Sequence, residues 1–154
     1  MRRLAALALL SAAFFVLSSG AASALSKSDL ERIWRNNGAV EGIQAFRFGL
    51  VDWAGGSASV EGTALLRDSS AQAGLLARRG AASDARKRLL LLLYEIRYGL
   101  PERLKSIEVS GTVVEGHVDY AGIRGDRYVV GVTLPLERLF DECVLFEAVL
   151  RQGP

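Results

Sequence analysis

The side chains that most often carry enzyme chemistry are few in this chain of 154 residues. His117 is its single histidine. It stands in a predicted strand with Asp119 two positions later, and residues two apart in a strand share a face. Such a pair can titrate together or hold a metal ion weakly, but two ligands do not define a zinc site. We interpret the pair as surface residues of a sheet.

The sequence indicates no other group of residues arranged for catalysis. The nucleophile motif G-x-S-x-G does not occur, and Gly55-Gly56 is not followed by the G-K-[ST] of a phosphate-binding loop. Cys143 is the single cysteine, which excludes an intramolecular disulfide and a cysteine-based zinc site. It lies in an apolar run, so we expect a buried thiol. Asp141 and Glu142 are expected on a solvated helix face. We therefore predict no enzyme activity, no catalytic residue, no metal and no cofactor.

The longest helical pattern runs from Ser69 to Gly99. Successive positions turn by about 100°, which gathers small residues and then leucines on one stripe. Each fully buried leucine contributes roughly 1.5–3 kcal/mol, so this stripe predicts a large part of the core. Asp68, Ser69 and Ser70 offer N-cap chemistry, and Gly99 before Leu100-Pro101 is a stop signal. Gly80 predicts a kink or fraying. The stripe comprises Ala71, Gly74, Leu75, Ala81, Ala82, Ala85, Leu89, Leu92, Leu93 and Ile96.

Arg78 projects from the middle of this apolar stripe, and two interpretations stay open. Its stem can lie along the edge of the core while the guanidinium reaches water or a carboxylate. Alternatively, Arg78 faces a ligand or partner in a groove between helix and sheet. In that case Arg78, with the neighbouring charged residues Arg79 and Asp84, forms the candidate ligand-binding set.

The first residues predict export. Met1-Arg2-Arg3 precedes an apolar run from Leu4 to Leu17, and residues 22–24 read Ala-Ser-Ala. This order is typical of a cleaved secretory signal peptide, and the run is shorter than the roughly 20 residues of a membrane span. We predict a signal peptide over residues 1–24 and one domain over residues 25–154, periplasmic or secreted, with no membrane span after cleavage. The alternative is that the apolar run is kept as an uncleaved membrane anchor.

Charge argues against a nucleic-acid partner. The full chain has 19 lysine and arginine residues against 17 aspartate and glutamate residues. Cleavage would remove Arg2 and Arg3 and leave the two signs equal. A nucleic-acid-binding domain needs a basic excess, so this class of partner is excluded.

The remaining pattern predicts the order α-β-β-α-β-β-α. Short helices are expected at residues 28–38 and 137–152, and the second should turn Leu139, Phe140, Cys143, Phe146 and Leu150 inward. Strands are expected over residues 43–53, 57–66, 106–120 and 127–136. The predicted fold class is α+β: an antiparallel or mixed sheet of about four strands, packed by one long central helix with short N- and C-terminal helices.

Residues Ala77 to Leu89, ARRGAASDARKRL, resemble the helix signature of the LPP20 family of bacterial envelope lipoproteins. The glycine-containing segment from Val60 to Ala64 is similar to the family's strand before that helix. Val109 to Val118 and Tyr128 to Leu136 are similar to its two later strands. No lipid-attachment cysteine follows the predicted signal peptide, so membrane anchoring is not implied. The resemblance implies a non-catalytic α+β envelope module that packs against other proteins.

Three functional hypotheses follow. The first is an exported, non-enzymatic interaction or structural module of the cell envelope, such as a flagellar or outer-membrane accessory protein. It would act through a sheet face or a free edge strand on envelope proteins or on a second copy. The second is a periplasmic small-ligand binder using the groove near Arg78. The third is an enzyme that uses His117, for which no substrate can be named.

Overall fold

The computed structural model describes residues 42–153, which form seven strands and two helices. These elements are β1 (Ile43–Ala45), β2 (Leu50–Asp52), β3 (Ser57–Leu65), α1 (Ala71–Tyr98), β4 (Leu104–Thr112), β5 (His117–Arg124), β6 (Arg127–Pro135), α2 (Leu136–Asp141) and β7 (Val144–Gln152). The predicted signal peptide and the predicted helix at residues 28–38 lie outside the described residues. No helix in the described part of the chain is long and apolar enough to cross a membrane.

Five strands form one antiparallel sheet in the order β1-β2-β3-β6-β5. The central pairing joins β3 and β6 over their full lengths, from Ser57 opposite Pro135 to Leu65 opposite Arg127. Along β3, buried and half-buried residues alternate from Ser57 to Thr63. Alternation of this kind places one face of the sheet on the core and leaves the other more open. The α+β class and the antiparallel sheet with one long helix are therefore confirmed.

The long helix α1 covers the inner face of the sheet. It spans 28 residues against the predicted range 69–99, and it continues through Gly80 without a break. Ser70 is the N-cap, and its side-chain oxygen accepts a hydrogen bond from the Ala73 N–H at 3.1 Å. The N–H of Gly99 closes the other end on the Glu95 carbonyl. Local cap chemistry thus sets both ends of the helix.

Only part of the predicted apolar stripe is buried. The part of the stripe from Ala81 to Ile96 packs into the core, whereas the side chain of Leu75 is 50 % exposed. An open groove lies between the first turns of α1 and the end of β3. The prediction that Leu75 contributes to the core is wrong for this reason.

A second, two-stranded antiparallel sheet packs on another side of α1. It pairs β4 with β7, and Gly111 of β4 lies against the side chain of Leu90. This contact explains why Leu90 is buried although it lies off the predicted stripe. Leu91, also off the stripe, is buried as well. The C-terminal half of α1 is thereby enclosed on two sides.

The predictions of one strand over residues 106–120 and of about four strands in one sheet are both wrong. The segment 106–120, predicted as one strand, is divided between β4 and β5, which belong to different sheets. The chain leaves the ladder at residues 113–116, where Val113 and Val114 pack against the core. The described chain consequently has seven strands in two sheets, not about four in one.

The predicted C-terminal helix is also wrong beyond its first turns. Helix α2 ends at Asp141, and residues 144–152 form β7 instead. Leu139, Phe140 and Cys143 are buried as predicted, whereas Phe146 is 70 % exposed. Pairing with β4 overrides the helical spacing because every residue of β7 except Phe146 gains a partner across the ladder.

Candidate functional site

Strand β5 ends the five-stranded sheet and is the most exposed strand of the described chain. Seven of its eight residues are exposed. Its large apolar side chains are 52 % exposed at Val118, 46 % at Tyr120 and 62 % at Ile123. An unpaired strand edge offers backbone N–H and C=O groups to another chain, so the edge and these side chains form a candidate interaction surface.

A β-bulge divides this edge. The ladder with β6 steps from Val118 opposite Val132 to Tyr120 opposite Gly131, which leaves Asp119 as the extra residue. Bulges interrupt regular pairing and redirect side chains. The Thr133 hydroxyl donates to the Asp119 carboxylate at 2.6 Å, and it also contacts the Ser59 hydroxyl at 2.9 Å. Beyond the bulge, the pairing from Tyr120 to Arg124 is regular.

Glu61 of the central strand ties the regular half of β5 to the outer face of the sheet. The Tyr120 hydroxyl donates to Glu61 Oε2 at 2.6 Å, and Arg124 Nη1 lies 3.2 Å from the same oxygen. The hydrogen bond from Tyr120, and next the positive charge of Arg124, lower the pKa of Glu61 although partial burial opposes them. The same hydrogen bond raises the pKa of Tyr120. These two side chains of β5 are thus held in place by the central strand.

These groups border a cleft of about 330 Å³ on the sheet. Its wall includes Ser59, Glu61, Asp119 and Tyr120, together with Arg88 and the loop from Phe46 to Leu50. The loop is fixed to α1, because Glu95 accepts hydrogen bonds from the N–H groups of Arg47 and Phe48.

His117 and Asp119, the pair considered as a weak metal site, both lie on the surface of β5. His117 is exposed at the start of β5, opposite Thr133, while Asp119 is bonded to the hydroxyl of that threonine. Among residues 42–153, no group of three potential ligands of the histidine, cysteine, aspartate or glutamate type is assembled. The pair therefore remains a surface feature of β5.

The candidate ligand-binding residues of α1 have different surroundings. Arg78 and Arg79 are exposed. Asp84 accepts a hydrogen bond from the Thr63 N–H at 2.9 Å and one from Arg88 Nε at 3.0 Å. In the described chain β2 pairs only with Ser57–Ser59 of β3, so the edge of β3 beyond Ser59 has no strand beside it. Asp84 accepts the hydrogen bond of the Thr63 N–H on that part of the edge. Its role in the fold is to hold helix and strand together.

A groove does exist between the start of α1 and the end of β3. It encloses about 610 Å³. Arg78, Arg79 and Asp84 are not part of its wall, which consists of Ala64, Leu65, Arg67, Asp68, Ser70, Gln72, Ala73, Leu76 and Ala77.

Cys143 is 2 % exposed and lies in the core, which confirms its predicted burial. Burial raises the pKa of its thiol. A buried thiol with a raised pKa has little thiolate, the form that acts as nucleophile or metal ligand. This environment is that of a packing residue.

Comparisons with family models, curated proteins and solved structures gave no match to this chain. The functional interpretation therefore depends on the chain's own geometry.

Sequence reasoning did not find the Glu61–Tyr120–Arg124 cluster. Glu61 is 59 positions from Tyr120 and 63 from Arg124. The three come together only because β6 pairs with both β3 and β5. The available signal was a strand carrying tyrosine and arginine four positions apart, which is common in exposed strands.

Proposed function

We propose that this chain is an exported, non-enzymatic interaction module of the cell envelope that binds another envelope protein through the edge of β5. The observation that carries the proposal is the exposure of β5 along its length, at the end of a five-stranded sheet. The predicted signal peptide and the resemblance to the LPP20 family support the envelope as its location.

The regular half of β5 is the part suited to pairing. Its bulge at Asp119 interrupts the first residues, whereas Tyr120 to Arg124 continue a regular ladder. Tyr120 and Arg124 are already ordered by Glu61, which lowers the entropy lost when a partner orders this surface. Ile123 lies opposite the half-buried Tyr128 and is itself 62 % exposed. An added strand would extend the sheet and cover Ile123.

The partner we infer is an extended segment with apolar side chains at alternate positions. Main-chain hydrogen bonds supply affinity in such β-strand addition, and alternate side chains supply specificity. A second copy of this chain is one possible source of the segment, and size-exclusion chromatography with light scattering distinguishes it from a different envelope protein.

The test is a double substitution, Val118→Lys with Ile123→Lys, in the purified full chain. Both side chains are exposed, so the melting temperature should change little. Lysine on a strand edge opposes pairing with another strand. The unmodified chain should recover a partner from envelope extract or associate with itself. We expect the double substitution to reduce the amount of partner recovered, or the extent of self-association, at least tenfold.

The matched control is Leu75→Lys with Leu76→Lys on α1, where the side chains are 50 % and 58 % exposed. It adds the same charge away from β5 and should keep binding intact. Equal loss in both variants, unchanged binding in the β5 variant, or a strict monomer with no partner would contradict the proposal.

Small-ligand binding in the groove beside α1 is a second candidate, supported by a volume within the usual range of ligand pockets, about 300–1,000 Å³. Arg78 is exposed and outside the wall, so in this candidate it would contact a ligand that extends beyond the groove. A thermal-shift screen of small anionic compounds tests this candidate. A compound that stabilises Arg78→Ala as much as the unmodified chain contradicts a role for Arg78.

A further inference from the structure

Three aromatic side chains border one small cleft at the other end of α1. Tyr94 and Tyr98 lie one turn apart, with ring centroids 5.0 Å apart and ring planes inclined by 44°. Phe146 of β7 completes the aromatic wall. Tyr98 is 66 % exposed and Phe146 is 70 % exposed. Large aromatic side chains left this open in a folded chain are candidates for recognition.

A bulge places Phe146 at the cleft. The ladder between β4 and β7 steps from Ser110 opposite Glu147 to Gly111 opposite Leu145, so Phe146 is the extra residue. A Cβ on Gly111 would overlap the Val144 carbonyl, and glycine therefore permits this irregular pairing. The neighbouring Leu145 packs against the core while Phe146 stays exposed. Bulges redirect side chains in this manner beside functional sites.

The cleft has one charged residue in its wall. Its volume is about 190 Å³, and its six lining residues are Tyr94, Tyr98, Leu145, Phe146, Glu147 and Ala148. The faces of aromatic rings are electrostatically negative, and they attract a cation within about 6 Å of the ring centroid. Glu147 adds a full negative charge. The wall therefore complements a compact positive group that also has apolar surface.

We propose that this cleft binds an organic cation of the quaternary ammonium class. Such a group spreads its charge over methyl groups, so it loses less hydration than a primary ammonium ion on entering an aromatic wall. This inference does not depend on the β5 interface, because none of the cleft residues belongs to β5.

Choline and its uncharged isostere 3,3-dimethylbutan-1-ol are the probes. They have nearly the same shape and differ in the charge, so their comparison isolates the electrostatic contribution. We expect NMR titration of the full chain to show saturable shifts with choline at residues of the cleft, and a Kd at least about fivefold higher for the isostere. Equal affinities, or no saturable shifts with choline, would overturn the proposal.

Two variants and a control complete the test. Phe146→Leu and Glu147→Gln should each weaken choline binding at least threefold, and their melting temperatures should stay close to that of the unmodified chain because both positions are exposed. Leu75→Ala changes an exposed apolar residue of α1 outside the cleft and should bind choline normally. If choline binds the two cleft variants as tightly as the unmodified chain, the assignment is wrong.

Discussion

Glu61 lies on β3 in the middle of the sheet and contacts side chains of the exposed edge strand β5. Its carboxylate accepts from the Tyr120 hydroxyl and pairs with Arg124. Its pKa is lowered, so the ionised form is favoured by folding. The stabilisation is therefore present above the usual glutamate pKa and is lost as the pH falls through the lowered one. The Glu61 side chain is 39 % exposed, and solvent reduces the size of this effect.

Tyr120→Phe should raise the pKa of Glu61 towards its usual value. The phenolic hydrogen bond is the largest cause of the lowered pKa, and the charge of Arg124 comes after it. Arg124→Ala should also raise the pKa, because it removes both the charge and the hydrogen bond of Arg124. The measurement is carboxyl carbon NMR between pH 2 and 7. An unchanged pKa of Glu61 in Tyr120→Phe would contradict the control of this carboxylate by the phenolic hydrogen bond.

Individual residues were predictable where their partners are near in sequence. The N-cap role of Ser70 depends on a hydrogen bond from the N–H of Ala73, three positions away. The burial of Cys143 was predicted from its apolar neighbours in sequence. Asp84 could be selected only as a charged helix residue, because its acceptor role depends on Thr63, 21 positions away. Whether Arg78, Arg79 and Asp84 bind a ligand stays a prediction.

At the scale of elements, the contact between α1 and β3 depends on the absence of side chains. A Cβ on Gly62 would overlap the Ala81 carbonyl oxygen and the Ala85 backbone N. Together with Ala81 and Ala85, this glycine lets helix and strand backbones approach closely. The leucines that follow on α1 then reach the deeper core.

Gly62→Ala should lower the free energy of unfolding by about 1–3 kcal/mol, because the extra methyl group must push helix and sheet apart. The matched control is Gly74→Ala in α1, where an added Cβ has nothing within 4 Å. That change should stabilise the chain by about 0.5–1 kcal/mol through helix propensity. Urea unfolding followed by circular dichroism measures both. Similar effects of the two substitutions would contradict the close approach at Gly62.

The elements divide into those specified locally and those specified by distant pairing. Helix α1 was predicted to within a few residues because its period and caps lie within it. Strand β7 was predicted as helix because the apolar spacing near Cys143 fits a helix turn. Its ladder with β4 joins residues such as Leu104 and Gln152, and no local pattern records that pairing.

At the scale of the whole molecule, the thiol of Cys143, the single cysteine of the chain, can report whether the core is closed. It lies in the core where α2 meets β7, with Leu139 and Phe140 just before it. Reaction with a thiol reagent requires exposure and a thiolate, and burial opposes both.

Labelling of Cys143 should therefore be at least about 100-fold slower in the native chain than in denaturant, because only open states react. Glutathione at the same pH serves as the reference for a free thiol. The reaction is followed by absorbance or mass spectrometry. Rapid labelling with the circular dichroism spectrum unchanged would show that the surroundings of Cys143 open without unfolding of the fold.

The pairing of β3 with β6 has a consequence for the order of events during synthesis. The Ser59 and Thr133 hydroxyls that meet across this pair are 74 positions apart. Folds dominated by such distant contacts form slowly. While the ribosome is still making residues 127–135, α1 has no completed sheet to cover its leucines. The nascent chain therefore stays open and protease-sensitive until residues 127–135 have emerged, and only then can the core close.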